Sequence, residues 1–164
     1  MKRIFSVLCL LLVLCSCASA KEVKPQLGGI SFSAEVTYYN ENYAFDGHLE
    51  KNGTLKAEIT SPKELEGLNF TLNGDSVTVE YKGLSYTPVE GSMPFSRVME
   101  EIYLPLRELA LSDKVTSDKE GRVEEKGRYA LTLSPTGLPQ KLLIPDNRFE
   151  VRFYNISVKE DSND

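Results

Sequence analysis

From Ile30 onward the chain alternates with a period of two. Ile30, Phe32, Ala34, Val36 and Tyr38 interleave with Ser31, Ser33, Glu35, Thr37 and Tyr39, the pattern of a strand with one face buried and the other in water. Tyr43, Phe45, Gly47 and Leu49 repeat it, and Leu55, Ala57 and Ile59 continue it. The turns between these runs fall at Asn40-Glu41-Asn42 and Lys51-Asn52-Gly53, where an Asn-Gly pair accommodates positive φ. Ser61-Pro62 stops the third run, because proline has no N–H to give to a ladder. Alternation resumes at Leu68, Phe70 and Leu72, turns at Asn73-Gly74-Asp75, and returns through Val77, Val79 and Tyr81, then Leu84 and Tyr86. The first half therefore reads as roughly six strands joined by short turns.

Met93 to Leu111 breaks this rhythm. Pro94 suits a first helical position, and Phe95, Val98, Met99 and Ile102 recur at steps of three and four, opposite Arg97, Glu100 and Glu101. Pro105 should kink this helix or split it into Pro94–Tyr103 and Pro105–Leu111, since its ring clashes with the preceding turn. Ser112 to Lys126 is polar and reads as a loop that enters a short strand near Arg122–Glu125. Tyr129, Leu131 and Leu133 then resume the period of two, followed by Lys141–Ile144 and Phe149–Val158. The last run moves its apolar residues from odd to even positions, which a β-bulge near Phe153 or Tyr154 reconciles. The predicted fold is α+β: a curved antiparallel sheet of roughly eight or nine strands, an incomplete β-barrel, closed by one kinked helix.

The first twenty residues, MKRIFSVLCLLLVLCSCASA, belong to none of this. Lys2 and Arg3 precede an apolar run, Ile4–Leu14, that is shorter than the roughly 20 residues needed to span a bilayer, so the segment reads as an export signal. Leu14-Cys15-Ser16-Cys17 resembles a bacterial lipobox, which would make Cys17 the acylated mature N-terminus; cleavage after Ala18-Ser19-Ala20 would instead release a protein that begins at Lys21. The organisation that follows is a lipoprotein signal peptide over 1–16, a lipidated cysteine and flexible tether over 17–29, one domain over 30–158 and an acidic tail over 159–164. The expected location is extracytoplasmic, anchored to the membrane by lipid, or secreted if cleavage follows Ala20.

Composition narrows the chemistry. Cys9, Cys15 and Cys17 all lie in or beside the leader, so the domain holds no disulfide, catalytic thiolate or zinc cluster. A leader with two basic residues and no acid takes the net charge from −5 to −7 when it leaves, which argues against nucleic acid. His48, the one histidine, falls on the polar face of its strand and reads as a surface residue. Glu100-Glu101 and Glu124-Glu125 read as solvated faces, because adjacent helical residues do not converge on one atom. No metal or cofactor is expected, and the protein is read as non-enzymatic. Asn52-Gly53-Thr54, Asn69-Phe70-Thr71 and Asn155-Ile156-Ser157 match glycosylation sequons, which a bacterial exporter would leave as ordinary turn and strand residues.

The run SPKELEGLNFTLNGDSVTVEYKGL, Ser61 to Leu84, and the helical segment after it resemble the LolA/LolB-like lipoprotein carriers in their order of strand, proline turn, strand, Gly-Asp turn, strand and helix. The resemblance covers about Ile30 to Val158. It implies an incomplete antiparallel barrel closed by helices, with an apolar cavity that takes acyl chains. On that reading Val36, Phe45, Ile59, Phe70 and Val79, with Met99 and Ile102 from the helix, line a ligand cavity between sheet and helix. The expected function is a membrane-anchored lipoprotein, monomeric, that binds a lipid or other apolar ligand, for lipid or lipoprotein transport. The alternative is a non-enzymatic cell-envelope interaction module whose core is filled.

Overall fold

The computed structural model describes residues 20–88, 94–125, 127–145 and 149–158. Cys17 and the acidic tail lie outside them. The described elements run β1 (Lys21–Val23), β2 (Ile30–Tyr38), β3 (Glu41–Leu49), β4 (Leu55–Ser61), β5 (Asn69–Asn73), β6 (Ser76–Tyr81), β7 (Leu84–Tyr86), α1 (Pro94–Ala110), β8 (Val115–Ser117), β9 (Arg122–Glu125), β10 (Tyr129–Leu133), β11 (Pro139–Ile144) and β12 (Phe149–Val158). Ten strands form one open antiparallel sheet in the order β7-β6-β5-β4-β3-β2-β12-β11-β10-β9, and β1 and β8 make a separate two-stranded ribbon. The α+β class and the single curved sheet with one helix are as the periodicity predicts. The sheet has ten strands where roughly eight or nine are expected, and the β1–β8 ribbon is additional to them.

Two meanders make this sheet. One runs from β2 to β7 and the other from β9 to β12, and they meet where β2 and β12 pair through registers such as Val36 with Val151 and Ala34 with Phe153. The phase change in β12 becomes a register shift between Tyr154 and Ser157, with Asn155 at φ 51°. Inner-face residues alternate cleanly with outer ones: in β2 the odd-numbered outer positions face solvent while Ile30, Phe32, Ala34 and Val36 are buried. Gly47 is glycine for space, because a Cβ there would lie 2.6 Å from the ring of Phe32.

Helix α1 lies against the inner face and is not split. Pro105 sits inside a continuous 17-residue helix. The lost hydrogen bond and ring clash cost about 3 kcal/mol, but Ile102, Tyr103, Leu106 and Leu109 are all buried on either side of the proline, and that packing outweighs the cost. At the helix start Phe95 stacks on two strands, with ring centroids 4.8 Å from Tyr43 and 5.6 Å from Phe70.

The N-terminal segment corrects the expectation of a flexible tether. Among residues 17–29, Lys21–Val23 pairs with β8, Pro25 and Leu27 are buried, and the Gln26 N–H donates to Gly137 O at 2.9 Å. Gly137, at φ 84°, lets this segment approach: a Cβ would stand 2.2 Å from Lys24 O. Leu27, 0% exposed, joins the main core. Leu27→Ala is therefore expected to lower stability by about 2–5 kcal/mol. A urea midpoint equal to the parent's would mean that the segment is a tether after all.

Candidate functional site

The apolar face of α1 covers the sheet, and a hollow lies along each of its flanks. The first has a volume of about 360 Å³ and lies between the helix and the β5–β6 rim, where Leu72, Val77, Tyr103 and Leu104 supply walls and Asp75 and Glu100 polar margins. The second, of about 430 Å³, lies on the β10–β11 side, among Arg97, Glu101, Leu104, Pro105, Arg128 and Tyr129. Leu104 borders both and remains 39% exposed, an apolar residue off the phase of the buried stripe.

Each flank is pinned by a tyrosine. Tyr103, which is buried, accepts the Gly74 N–H at 2.8 Å through its hydroxyl and so ties α1 to the β5–β6 turn. On the other side Tyr129 donates its hydroxyl to Glu108 at 2.9 Å, and Arg128 approaches the same carboxylate at 3.5 Å. Burial, then the acceptor Glu108, pushes the Tyr129 phenol well above its ordinary range. Tyr43, whose hydroxyl donates to Glu41, is pushed up to about 12 for the same kind of reason, with the hydrogen bond as the larger cause.

The seven residues expected to line a cavity are brought together, in a different setting. Val36, Phe45, Ile59, Phe70, Val79, Met99 and Ile102 belong to one core cluster, and each is 1% exposed or less. None of them borders either flanking hollow, whose lining is made by other residues. Leu72 and Val77 carry the right alternation for such a role, and Leu104 is an off-phase apolar residue in the helix pattern, so a signal for the first hollow exists in the sequence. Of the polar candidates, His48 bonds through Nδ1 to Ser31 Oγ at 3.0 Å on the outer face of the sheet, and Asp46 is held by Ser33 Oγ at 2.7 Å. Among the described residues no group of three or more His, Cys, Asp or Glu is placed to hold a metal ion, and no helix is long and apolar enough to cross a membrane.

Neither a protein-family model nor a curated protein matches the chain. Among solved structures the chain is similar to a LolA superfamily protein from Nitrosomonas europaea, at 7% identity over 88% of each chain and a TM-score of 0.39. At that level the similarity assigns neither family nor function.

The tyrosine shifts carry a sign. A phenol whose folded pKa is raised stabilises the fold fully below its ordinary value of 10.0, and that contribution is lost as pH rises beyond it. Urea midpoints should therefore fall above pH 10, and Tyr129→Phe should make that fall shallower. An identical alkaline slope in the variant would show that Tyr129 is not held neutral by Glu108 and burial.

Proposed function

We propose that this protein is an extracytoplasmic lipoprotein, anchored through Cys17, that binds the acyl chain of a lipid beside α1 and carries out no catalysis. The observation that carries the reading is the 360 Å³ hollow between the helix and the β5–β6 rim, within the size range of ligand sites, roughly 300–1,000 Å³. Leu72, Val77, Pro88 and Leu104 give a chain its apolar wall, and Asp75, Thr87, Ser96 and Glu100 line the remainder with polar groups suited to the headgroup end. Beneath it lies the core in which Val36, Phe45, Ile59, Phe70 and Val79 meet Met99 and Ile102. Lifting α1 exchanges one apolar covering for another, because an acyl chain seated there removes comparable surface from water at about 25 cal/mol per Å². The seven residues would then form the inner wall of the enlarged site. A role in lipid or lipoprotein transport follows from holding such a chain away from water.

The complete burial of those seven residues favours a second reading, a cell-envelope interaction module with a filled core. A fluorescent fatty-acid probe separates the two. Binding by the parent protein, weakened several-fold in Leu104→Asp at an unchanged urea midpoint, supports the ligand site, because Leu104 borders the hollow, is 39% exposed and lies outside the core cluster. A parent that takes up no probe rejects it and leaves the module. The anchor is tested separately. Cys17→Ala should abolish incorporation of labelled fatty acid and move the protein to the soluble fraction; unchanged incorporation would reject Cys17 as the acylated residue.

A further inference from the structure

We infer that the end of the domain holding β1, the β3–β4 hairpin and the C-terminus of α1 rests on the bilayer, with Leu111 in the interfacial layer and the mouth of the first hollow turned toward the lipid. The inference rests on the reading of Cys17 as the anchor and adds a docking face and an orientation to it.

The first argument is reach. Four residue steps separate Cys17 from Lys21, a span of at most about 14 Å when fully extended. Lys21 is held in the β1–β8 ribbon, where its carbonyl accepts from Ser117 Oγ at 3.2 Å, so the surface around it cannot swing away from the membrane. The chain leaves no length for a free stalk.

The second argument is what that surface presents. Glu22 is paired with Lys114 at 3.0 Å. Gly28 lies against the next hairpin, since a Cβ on it would stand 3.2 Å from Lys51 Cα. Gly53 of the same hairpin lies against the end of α1, where a Cβ would stand 3.8 Å from the methyl carbons of Leu111. Leu111 is 58% exposed, three residues before Lys114. A single exposed leucine is unremarkable in itself. On the segments of this end stand the exposed Lys21, Lys24, Lys51 and Lys114, with Glu22, Glu50, Asp75 and Asp113 as acids, Glu22 paired with Lys114 and Glu50 with Lys56, next to the point where the chain departs for its acyl group. Lysine stems lie along an apolar surface while their ammonium groups reach the headgroups, an arrangement that suits the bilayer interface.

The third argument joins this face to the proposed site. Strand register carries Ile30, Leu49, Leu55, Leu72 and Val77 across five strands in one row. Ile30 follows directly on the buried N-terminal segment, so the other end of the row, with Gly74 and Asp75 just beyond it, belongs to the same end of the sheet. Leu72, Gly74, Asp75 and Val77 border the first hollow. A domain seated on this end would take a lipid chain from the bilayer without carrying it through water.

The chain contains no tryptophan, so single tryptophans report position directly. Leu111→Trp and Tyr39→Trp place one at each end, because Tyr39, itself 57% exposed, lies beyond β2, about 30 Å from Ile30 at roughly 3.3 Å per residue. The acylated full-length proteins are reconstituted in phosphatidylethanolamine–phosphatidylglycerol vesicles with brominated acyl chains, and acylation of Cys17 is verified by mass spectrometry. Quenching at position 111 several-fold stronger than at position 39 is the expected result. Equal quenching at both, or none at 111, in acylated protein overturns the docking face and leaves the anchor standing. A parent chain that carries no acyl group overturns the anchor and the docking with it. If Leu111→Trp lowers the urea midpoint, Lys51→Trp reports from the same end and decides by the same comparison.

Discussion

The pairing of β2 with β12 is the contact on which the rest of the structure depends. Each of these strands begins or ends a meander, and without their ladder the protein is two half-sheets, each with a long unpaired edge. The pairing joins residues more than a hundred positions apart, so the chain must close a loop that holds nearly the whole domain before either half gains its neighbour. The reward is a continuous inner face in which Val36, Phe153 and Val151 are buried side by side. Only a sheet this wide offers α1 enough apolar surface to keep its helix intact through Pro105.

The outer face is organised by charge. Asp46 stands directly opposite Glu58 across β3 and β4, an unfavourable arrangement that the Ser33 hydroxyl relieves by donating to Asp46. Across β11 and β12 the pattern reverses: Lys141 at 2.9 Å and Arg152 at 2.8 Å both engage Glu150, and the Lys141 contact is the larger reason that the Glu150 carboxyl is held below its usual range. Exposed pairs of this kind contribute little to stability individually. The cross-strand pair does mark register, since slipping β12 by one residue would separate Glu150 from Lys141 and turn Val151 and Phe153 out into water.

Much of this was legible in the chain. Period-two runs such as Ile30–Tyr38 and Ser76–Tyr81 announce strands, and Phe95, Val98, Met99 and Ile102 announce the buried stripe of α1, because burial on one face leaves a repeat that can be read locally. Lys21-Glu22-Val23 and Val115-Thr116-Ser117 leave none: three residues cannot display a period, and each is a strand only because the other lies beside it. Leu27 was the sign that the segment around Pro25 and Gly28 is not a free linker, a lone apolar side chain whose burial is decided by a distant turn at Gly137. The candidate site shows the same limit. Its seven inner residues were identifiable as sharing a face, but whether a shared face is a wall or a filled core depends on how closely the helix descends, and no repeat encodes that distance.

The ribbon of β1 and β8 also makes the domain a mechanical device. Any force applied through the residues before Lys21 reaches the Glu22–Lys114 pair and a ladder only three residue pairs long before it reaches Leu27. Those few bonds are weaker than the ten-stranded sheet behind them, so under load they part first. Peeling β1 and the chain as far as Gln26 would add about 20 Å of slack at roughly 3.3–3.6 Å per residue, while the sheet stays folded. Such a segment would be short and stiff at rest and extensible under strain.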